Sequence, residues 1–581
     1  MSDSIKHECA VSLLRLRQKP DYYLRKYGSP FYGFQMLTLL LEKQHNRGQD
    51  GAGMAGINLH PASGRPGFQL ERSVQNMPLA DLVARIGRDL AEPANRSNSP
   101  FAGELFLGHL RYGTYGNREL CACQPLVREN AFLNRTLLLA GNFNLTNTGD
   151  ILQSLIQSGH HVPSLQDSSL ILQIVSHYLE KARAERNDAW NPASVLAEAV
   201  GGFDGAFTLC GALGNGEAFA LRDPAGIRPG FFYYDDEIIV VSSERAAIQT
   251  VFDRTSAEVM ELPPGEALLI SQDGKVQFRP CLKPAPLRRC VFERIYFSRG
   301  NDAGIHQERK ALGHALAPAI VEAVDSDWEN SFFSYIPNTA QISFHGMLDA
   351  LWEMHPARVR FGQIAIKDAK FRTFIADENT RKELAMHVYD VTYGLIRPGS
   401  DNLVVIDDSI VRGNTMRNAI LPMLDRLNPK RIVIASSAPP IRYPDCYGID
   451  MGSLRELIAF EAAIDLLNQR NQLKLLESCY HAAKTQLMHP DRPMTNCVAP
   501  IYESISDADL VDAIAERLRP SGLRAELKVI FQTCEDLTKC CPEHSGDWYF
   551  TGNYPTPGGF RVVNQALVNY VEKNNSRAYQ E

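Results

Sequence analysis

Two groups of residues in this 581-residue chain have the types and spacing to do chemistry. The first is the contiguous run Val404-Val-Ile-Asp-Asp-Ser-Ile-Val-Arg-Gly-Asn-Thr415. Its apolar lead, Asn402-Leu-Val-Val-Ile406, has the pattern of a strand buried on both faces. Such a strand delivers Asp407 and Asp408 to the carboxyl edge of a sheet, where open α/β sheets bind their ligands. Adjacent carboxylates suit sugar hydroxyls or a magnesium ion, since both seek hard oxygen acceptors. Ser409, Gly413 and Thr415 follow just before a helix. Glycine lets backbone N–H groups turn inward, and hydroxyls beside a helix N-terminus favour a phosphate. An isolated Asp-Asp also reads as an Asx-rich turn capping a helix, but the following Arg412-Gly-Asn-Thr415 favours a phosphate loop.

The second group is dispersed. It comprises Cys9, the Gly-rich turns Arg47-Gly-Gln-Asp-Gly-Ala-Gly53 and Gly108-His-Leu-Arg-Tyr-Gly-Thr-Tyr-Gly116, the run Gly141-Asn-Phe-Asn-Leu-Thr-Asn147, and Asp167. An Arg in such a turn can fork onto a carboxylate. Together the set could hold a small zwitterion, with Arg111 on its carboxylate, Asp167 on its ammonium and a thiol nearby. Cys9 by itself would read as structural.

The elements that must position these residues divide in two. Up to about residue 285 the pattern is of many short strands with two or three helices: strands over 105–110, 136–140, 206–211 and 237–242, helices over 150–157 and 168–182. The Pro-rich stretch Pro280-Cys-Leu-Lys-Pro-Ala-Pro286 reads as a domain boundary. Beyond it, apolar runs over 402–406 and 431–435 flank a helical segment, a βαβ unit that implies a parallel sheet. Pro422 inside that segment means a kinked or late-starting helix. From 454 to about 485 the spacing is that of a helical pair, read as a packed insertion over 456–498.

Composition bounds the rest. With 44% hydrophobic and 22% charged residues, the chain has material for several globular cores. Sixty Lys and Arg against 67 Asp and Glu give a net charge of −7, which argues against coating nucleic acid or an anionic membrane. No apolar run approaches the roughly 18 residues of a membrane span, and Met1 to Arg17 lacks the pattern of a secretory signal. A cytoplasmic protein is expected. Twelve cysteines without a Cys-x-x-Cys pair read as mostly free, buried thiols.

The loop at 404–415 resembles the phosphoribosylpyrophosphate (PRPP) loop of type I phosphoribosyltransferases, and with Arg372-Thr-Phe-Ile375, Ala438-Pro-Pro440, Tyr447-Gly-Ile-Asp450 and Phe531-Gln-Thr533 the resemblance extends to the amidophosphoribosyltransferases of purine synthesis. The N-terminal motifs resemble the class II glutamine amidotransferase domain, an N-terminal-nucleophile hydrolase. The resemblance implies an αββα sandwich over 9–285 after a propeptide 1–8, then a parallel-sheet phosphoribosyltransferase domain over 286–455 and 499–581. It implies glutamine hydrolysis at Cys9, with the freed α-amine (pKa about 7.7–8) as base, and attack of the ammonia on C1 of PRPP to give 5-phosphoribosylamine and pyrophosphate. Free ammonia in turn implies a water-excluding path between the two reactions. Arg47 would support the first site, Arg111 and Asp167 bind glutamine, and Asn142 line the oxyanion hole. Asp407, Asp408, Ser409, Arg412, Gly413, Asn414 and Thr415 would bind PRPP, with Lys367, Lys370 and Arg372 on its pyrophosphate. Thr339 would join the two aspartates near magnesium. Purine nucleotide inhibitors and a homo-oligomer are also implied.

The chain departs from the family in places. Ala10 follows Cys9 and Phe143 follows Asn142, where the family has glycine. A backbone N–H survives the second change if Phe143 adopts the conformation glycine would hold. Cys290 and Cys446 stand at two of the four positions that hold an iron–sulfur cluster in some relatives. The other two are Gly546 and Tyr549, so no cluster is expected. Two other readings stay open at this level: a paralogous enzyme with a different acceptor, and a non-catalytic PRPP sensor.

Overall fold

The computed structural model describes residues 9–93, 95, 98–113, 119–162, 164–185, 191–356, 359–367, 389–449, 451–576 and 578. The chain forms two compact units. Of the described residues, one holds those up to 289 with the short stretch 446–449, the other 290–445 with those from 451 on.

In the first unit, β1 (Ala10–Leu16), β2 (Gly51–Ile57), β3 (Phe68–Ser73), β4 (Leu105–Arg111), β9 (Phe231–Tyr234), β10 (Ile238–Ser242) and β11 (Met260–Glu261) make an antiparallel sheet of order β11-β9-β10-β1-β4-β2-β3. A second sheet takes β5 (Leu126–Arg128), β6 (Leu137–Leu145), β7 (Gly205–Leu213), β8 (Ala218–Arg222), β12 (Glu266–Ile270) and β13 (Val276–Pro280) in the order β13-β12-β8-β7-β6-β5. Val11, Leu13 and Leu107 of the first sheet meet Leu138, Ala140 and Cys210 of the second in one buried layer.

Among the described residues seven α-helices accompany these sheets, not two or three. They are α1 (Pro20–Tyr27), α2 (Tyr32–Glu42), α3 (Pro78–Ala91), α4 (Thr148–Gln157), α5 (Asp167–Glu185), α6 (Pro192–Val200) and α7 (Arg245–Phe252). Leu37, Leu82 and Ile248 of α2, α3 and α7 pack on Leu14 and Leu110 of the first sheet, and Leu155, Leu170 and Leu196 of α4, α5 and α6 pack on Leu139 and Phe207 of the second. The result is a four-layer αββα sandwich. Helix α2, Tyr-Gly-Phe-Gln-Met-Leu-Thr-Leu-Leu-Leu-Glu, is apolar almost all round, so it shows little of the one-sided periodicity that marks a surface helix.

The second unit is built on a parallel sheet of β14 (Ser331–Tyr335), β15 (Arg360–Phe361), β18 (Asn402–Asp407), β19 (Arg431–Ser436) and β20 (Glu526–Phe531), in the order β15-β14-β18-β19-β20. A small antiparallel ribbon joins β16 (Ala365–Lys367) to β17 (Tyr389–Val391). Helices α8 (Ala303–Ala323) and α9 (Gln341–Met354) cover one face, burying Leu316, Ile320 and Met347 against Phe333, Val404 and Val433. After β18 comes a π-helical turn, Met416–Ile420, then α10 (Leu421–Asp425) with Pro422 in its first turn. Proline is tolerated there because the first helical N–H groups have no intrahelical partner. Two helices, α11 (Ile458–Gln469) and α12 (Leu473–Leu487), fill the 456–498 stretch, followed by α13 (Ala499–Glu503) and α14 (Asp507–Leu518).

Candidate active sites

Strand alternation builds the first site. On β1 and β4, Leu14, Phe106 and Leu110 face the helices α2 and α3, while Val11, Leu13, Leu105 and Leu107 face the second sheet. Side chains alternate along a strand, so His109 and Arg111 continue into the space between the sheets. Ala10 pairs with Leu110 across the β1–β4 ladder, which sets Cys9 opposite Arg111 where the strands end. On β6, Leu137, Leu139 and Leu145 face α4–α6 while Leu138 and Ala140 face the first sheet. Asn142 therefore joins the inter-sheet side and Phe143 the helix side.

This settles how Phe143 fits beside Asn142. It stays in the β6–β7 ladder opposite Phe207 and packs among the helix-side apolar residues, without needing the backbone freedom of glycine. Ala10 is likewise an ordinary, fully buried strand residue.

Cys9 is half-buried, and desolvation pushes its thiol up to about 11. A Tyr112 backbone N–H and the positive charge of Arg111 oppose that rise, while Cys123 and Asp167 add to it. The same interactions place Arg111 and Asp167 within electrostatic reach of the sulfur. Asp167 opens α5; burial raises its carboxyl, against its own backbone N–H and that of Leu145, the latter at 3.4 Å. A thiol held so far from ionisation needs a local base to become a nucleophile.

Arg47 is fully buried, and its Nε donates to Oε1 of Glu244 at 2.8 Å, the oxygen that also accepts from Asn46 Nδ2 at 2.7 Å. The pair fastens the turn before β2 to the residue that precedes α7. Three further neighbours had no signal in the sequence. Glu244 lies 197 positions from its partner. Gln124 accepts the Gly141 N–H at 2.8 Å, bracing the residue before Asn142. His109 is fully buried, and burial lowers it to about 3, so it is neutral.

The second site lies at the carboxyl edge of the parallel sheet. Asp407 ends β18, and Asp407, Asp408 and Ser409 are all buried. The Asp408 N–H donates to Asp407 Oδ1 at 2.9 Å, and Ser409 Oγ donates to Asp408 Oδ1 at 3.1 Å. Ser437, beyond β19, donates its N–H to the Asp407 carbonyl at 2.9 Å. Gly413 has φ 73°, and a Cβ there would lie 2.5 Å from Ile458 of α11 and 2.7 Å from Leu518 of α14. Both the left-handed backbone and the close approach require glycine. Asp407, Asp408, Ser409, Gly413 and Thr415 line a crevice with Tyr296, which sequence reasoning missed. At about 20 Å³ it holds about one water, so a phosphate would enter by displacing loop side chains.

Arg412 Nη2 pairs with Glu456 at 2.7 Å, and Asn414 is exposed. Thr339, half-buried, follows β14 at the same sheet edge as Asp407. Lys367 ends β16; Lys370 and Arg372 lie outside the described residues, as does the stretch 1–8.

Among the described residues no group of three or more His, Cys, Asp or Glu is arranged to hold a metal. The Asp407–Asp408 pair nonetheless offers the anionic oxygens that a hard divalent cation takes together with substrate phosphates. The cysteines do not fit an iron–sulfur cluster. Cys290 faces the Tyr549 hydroxyl at 3.4 Å, and that hydroxyl accepts from the Phe292 N–H at 2.7 Å and donates to the Gly546 carbonyl at 3.1 Å. A satisfied phenol stands where a thiolate is needed.

Comparison with known proteins agrees with both halves. A family model described as a glutamine amidotransferase domain matches residues 119–250. The amidophosphoribosyltransferase of Methanocaldococcus jannaschii is 29% identical over 439 residues, covering 72% of this chain and 83% of that protein. The one from Mycobacterium bovis is 30% identical over 391 residues, 65% of this chain and 67% of the relative. The chain belongs to the amidophosphoribosyltransferase family. A solved glutamine PRPP amidotransferase from B. subtilis, in complex with ADP and GMP, matches with a TM-score of 0.65 at 22% identity, covering 94% of this chain and 97% of that one. The αββα unit thus has the N-terminal-nucleophile hydrolase fold and the parallel-sheet unit the type I phosphoribosyltransferase fold. No described helix is long and apolar enough to cross a membrane.

Proposed function

We propose that this chain hydrolyses glutamine and transfers the ammonia to C1 of PRPP, giving glutamate, pyrophosphate and 5-phosphoribosylamine, the committed step of purine synthesis. The observation that carries the reading is the convergence of Cys9, Arg111 and Asp167: the β1–β4 register sets Cys9 opposite Arg111, and a cation and an anion both act on the one thiol.

Arg111 takes the α-carboxylate of glutamine and Asp167 its ammonium. The Cys9 sulfur attacks the side-chain amide carbon; the S–C bond forms, the C–N bond breaks, and the thiol proton leaves with ammonia. Water then cleaves the thioester. Removal of residues 1–8 would expose the Cys9 α-amine as the base that the raised thiol requires. Asn142 donates to the oxyanion, a contribution on the order of 3 kcal/mol where one donor is lost. Arg47 acts through position: its bond to Glu244 holds the turn that precedes β2.

In the second unit, Asp407 and Asp408 hold the ribose hydroxyls, and Ser409, Gly413, Asn414 and Thr415 cradle the 5-phosphate, with Arg412 beside them. Lys367, Lys370 and Arg372 take the pyrophosphate. A magnesium ion, when bound, would supply positive charge against the departing pyrophosphate, with Asp407, Asp408 and Thr339 as its available oxygen donors. Ammonia attacks C1 as the C1–O bond to pyrophosphate breaks. Purine nucleotides are proposed as inhibitors, in keeping with the ADP and GMP of the B. subtilis structure. A homo-oligomer and a cytoplasmic location are proposed from the resemblance.

The test is an assay of purified chain with PRPP, magnesium and either glutamine or ammonium, following glutamate and pyrophosphate, with intact mass of the active species. Turnover with both nitrogen sources by a chain beginning at Cys9 is expected. PRPP binding without turnover would leave the sensor reading standing.

A further inference from the structure

Beside the phosphate loop lies a second cavity of about 280 Å³, which shares Gly413 with the crevice. Its wall is shared by the loop itself, the start of the 456–498 insertion and α14. Four guanidinium groups, Arg412, Arg417, Arg455 and Arg517, face two carboxylates, Glu456 and Glu461.

The pairing within it is unequal. Arg517 is doubly matched, to Glu461 at 3.0 Å and to Asp465. Arg412 pairs with Glu456 at 2.7 Å. Among the described residues Arg455 bonds neutral acceptors, Asn575 Oδ1 at 2.9 Å and the Tyr570 carbonyl at 3.4 Å. Arg417 is exposed and makes no ion pair among the described residues. The cavity thus keeps two uncompensated cations, and its one apolar liner is Ile458. That leaves little to stack or bury an aromatic base and much to hold negative oxygen. Guanidinium forks match phosphate geometry, and about 300 Å³ is the lower size of a ligand site.

We propose that this cavity is a second anion site, taking a compact phosphoanion with two or more negative charges. It is distinct from the substrate crevice and does not depend on the amidotransferase reading. Because Gly413 lines both cavities and its neighbours Arg412 and Asn414 line this one, an anion seated there competes with Glu456 for Arg412 and bears on the substrate loop.

Inorganic pyrophosphate, titrated calorimetrically into the full-length chain without divalent cation, is the probe; under those conditions the Asp407–Asp408 carboxylates repel it. One equivalent bound below 1 mM (on the order of −4 kcal/mol) is expected. Arg417→Ala with Arg455→Ala should bind one equivalent fewer, or at least tenfold more weakly. Glu456→Gln should bind about threefold more tightly, since Arg412 is released. Arg417→Gln alone, at an exposed position that cannot unfold the chain, should weaken binding threefold or more. Absence of binding at 1 mM, or binding unmoved by these variants, overturns the proposal. PRPP turnover of the Arg417→Gln protein is expected to be unchanged, and reports separately on the amidotransferase reading.

Discussion

The thiol pocket and the phosphate loop solve opposite problems. The first gathers residues from β1, β4, β6 and α5, far apart in sequence, by letting strand alternation turn each one inward. The second takes nearly all its groups from one stretch of a dozen residues at the end of a single strand. A pocket of the first kind inherits the rigidity and dryness of the sheets around it. A loop of the second kind can open, at the cost of depending on whatever supports its back, here Ile458 and Leu518 against Gly413.

The sharpest way to break this comparison is to disable one site and watch the other. Cys9→Ser should abolish glutamine-dependent phosphoribosylamine formation, by at least about a thousandfold, while synthesis from ammonium stays within about twofold. Collapse of the ammonium rate in well-folded Cys9→Ser protein would show that the two sites are not separable. Asp407→Ala with Asp408→Ala should lower synthesis from both nitrogen sources by roughly a hundred- to a thousandfold, leaving glutamate release measurable in the absence of PRPP. Phe143→Gly probes the alternation itself. Loss of a half-buried ring on the helix side should cost about 1–3 kcal/mol, read in denaturant melts, with glutaminase turnover changed less than about threefold. A large gain in turnover would mean that the side chain obstructs the oxyanion after all.

The smallest effect sharpens the dryness argument. His109 is held near 3 by burial, below its ordinary 6.5. The unfolded chain therefore takes up a proton first as pH falls, so the stability this residue contributes is intact above 6.5 and is lost progressively between 6.5 and 3. At pH 5 the loss is on the order of 2 kcal/mol. The melting midpoint of the first unit should fall between pH 6.5 and 5, and His109→Asn should flatten that fall. An equal slope in both proteins would place the histidine in contact with water.

The same contrast decides what the sequence could reveal. Asp407, Asp408, Gly413 and Thr415 were legible as chemistry because they are contiguous and follow a doubly buried strand. Cys9, Arg111, Asn142 and Asp167 suggested a zwitterion site, yet their proximity depends on a ladder register that no local pattern encodes. Glu244 and Gln124 were invisible, being ordinary polar residues whose partners come from elsewhere in the fold. The parallel sheet and the β6, β7 and β10 strands could be read from apolar runs. Helix α2 could not, since near-uniform hydrophobicity hides its face. The departures at 10 and 143 looked like threats to the chemistry, and strand geometry turns both side chains away from it.

The nine-residue ladder between β6 and β7 runs unbroken from Leu137 opposite Leu213 to Leu145 opposite Gly205. A slip of one residue would reverse every side chain on β6. Asn142 would be thrust into the aliphatic layer under α5 and the phenyl ring of Phe143 would swing toward the thiol, so a mispaired chain would be both unstable and inert. Assembly errors are therefore self-reporting in this strand: any molecule that can process glutamine has already proved its register, and a residue foreign to the reaction serves as the proofreader of the fold that performs it.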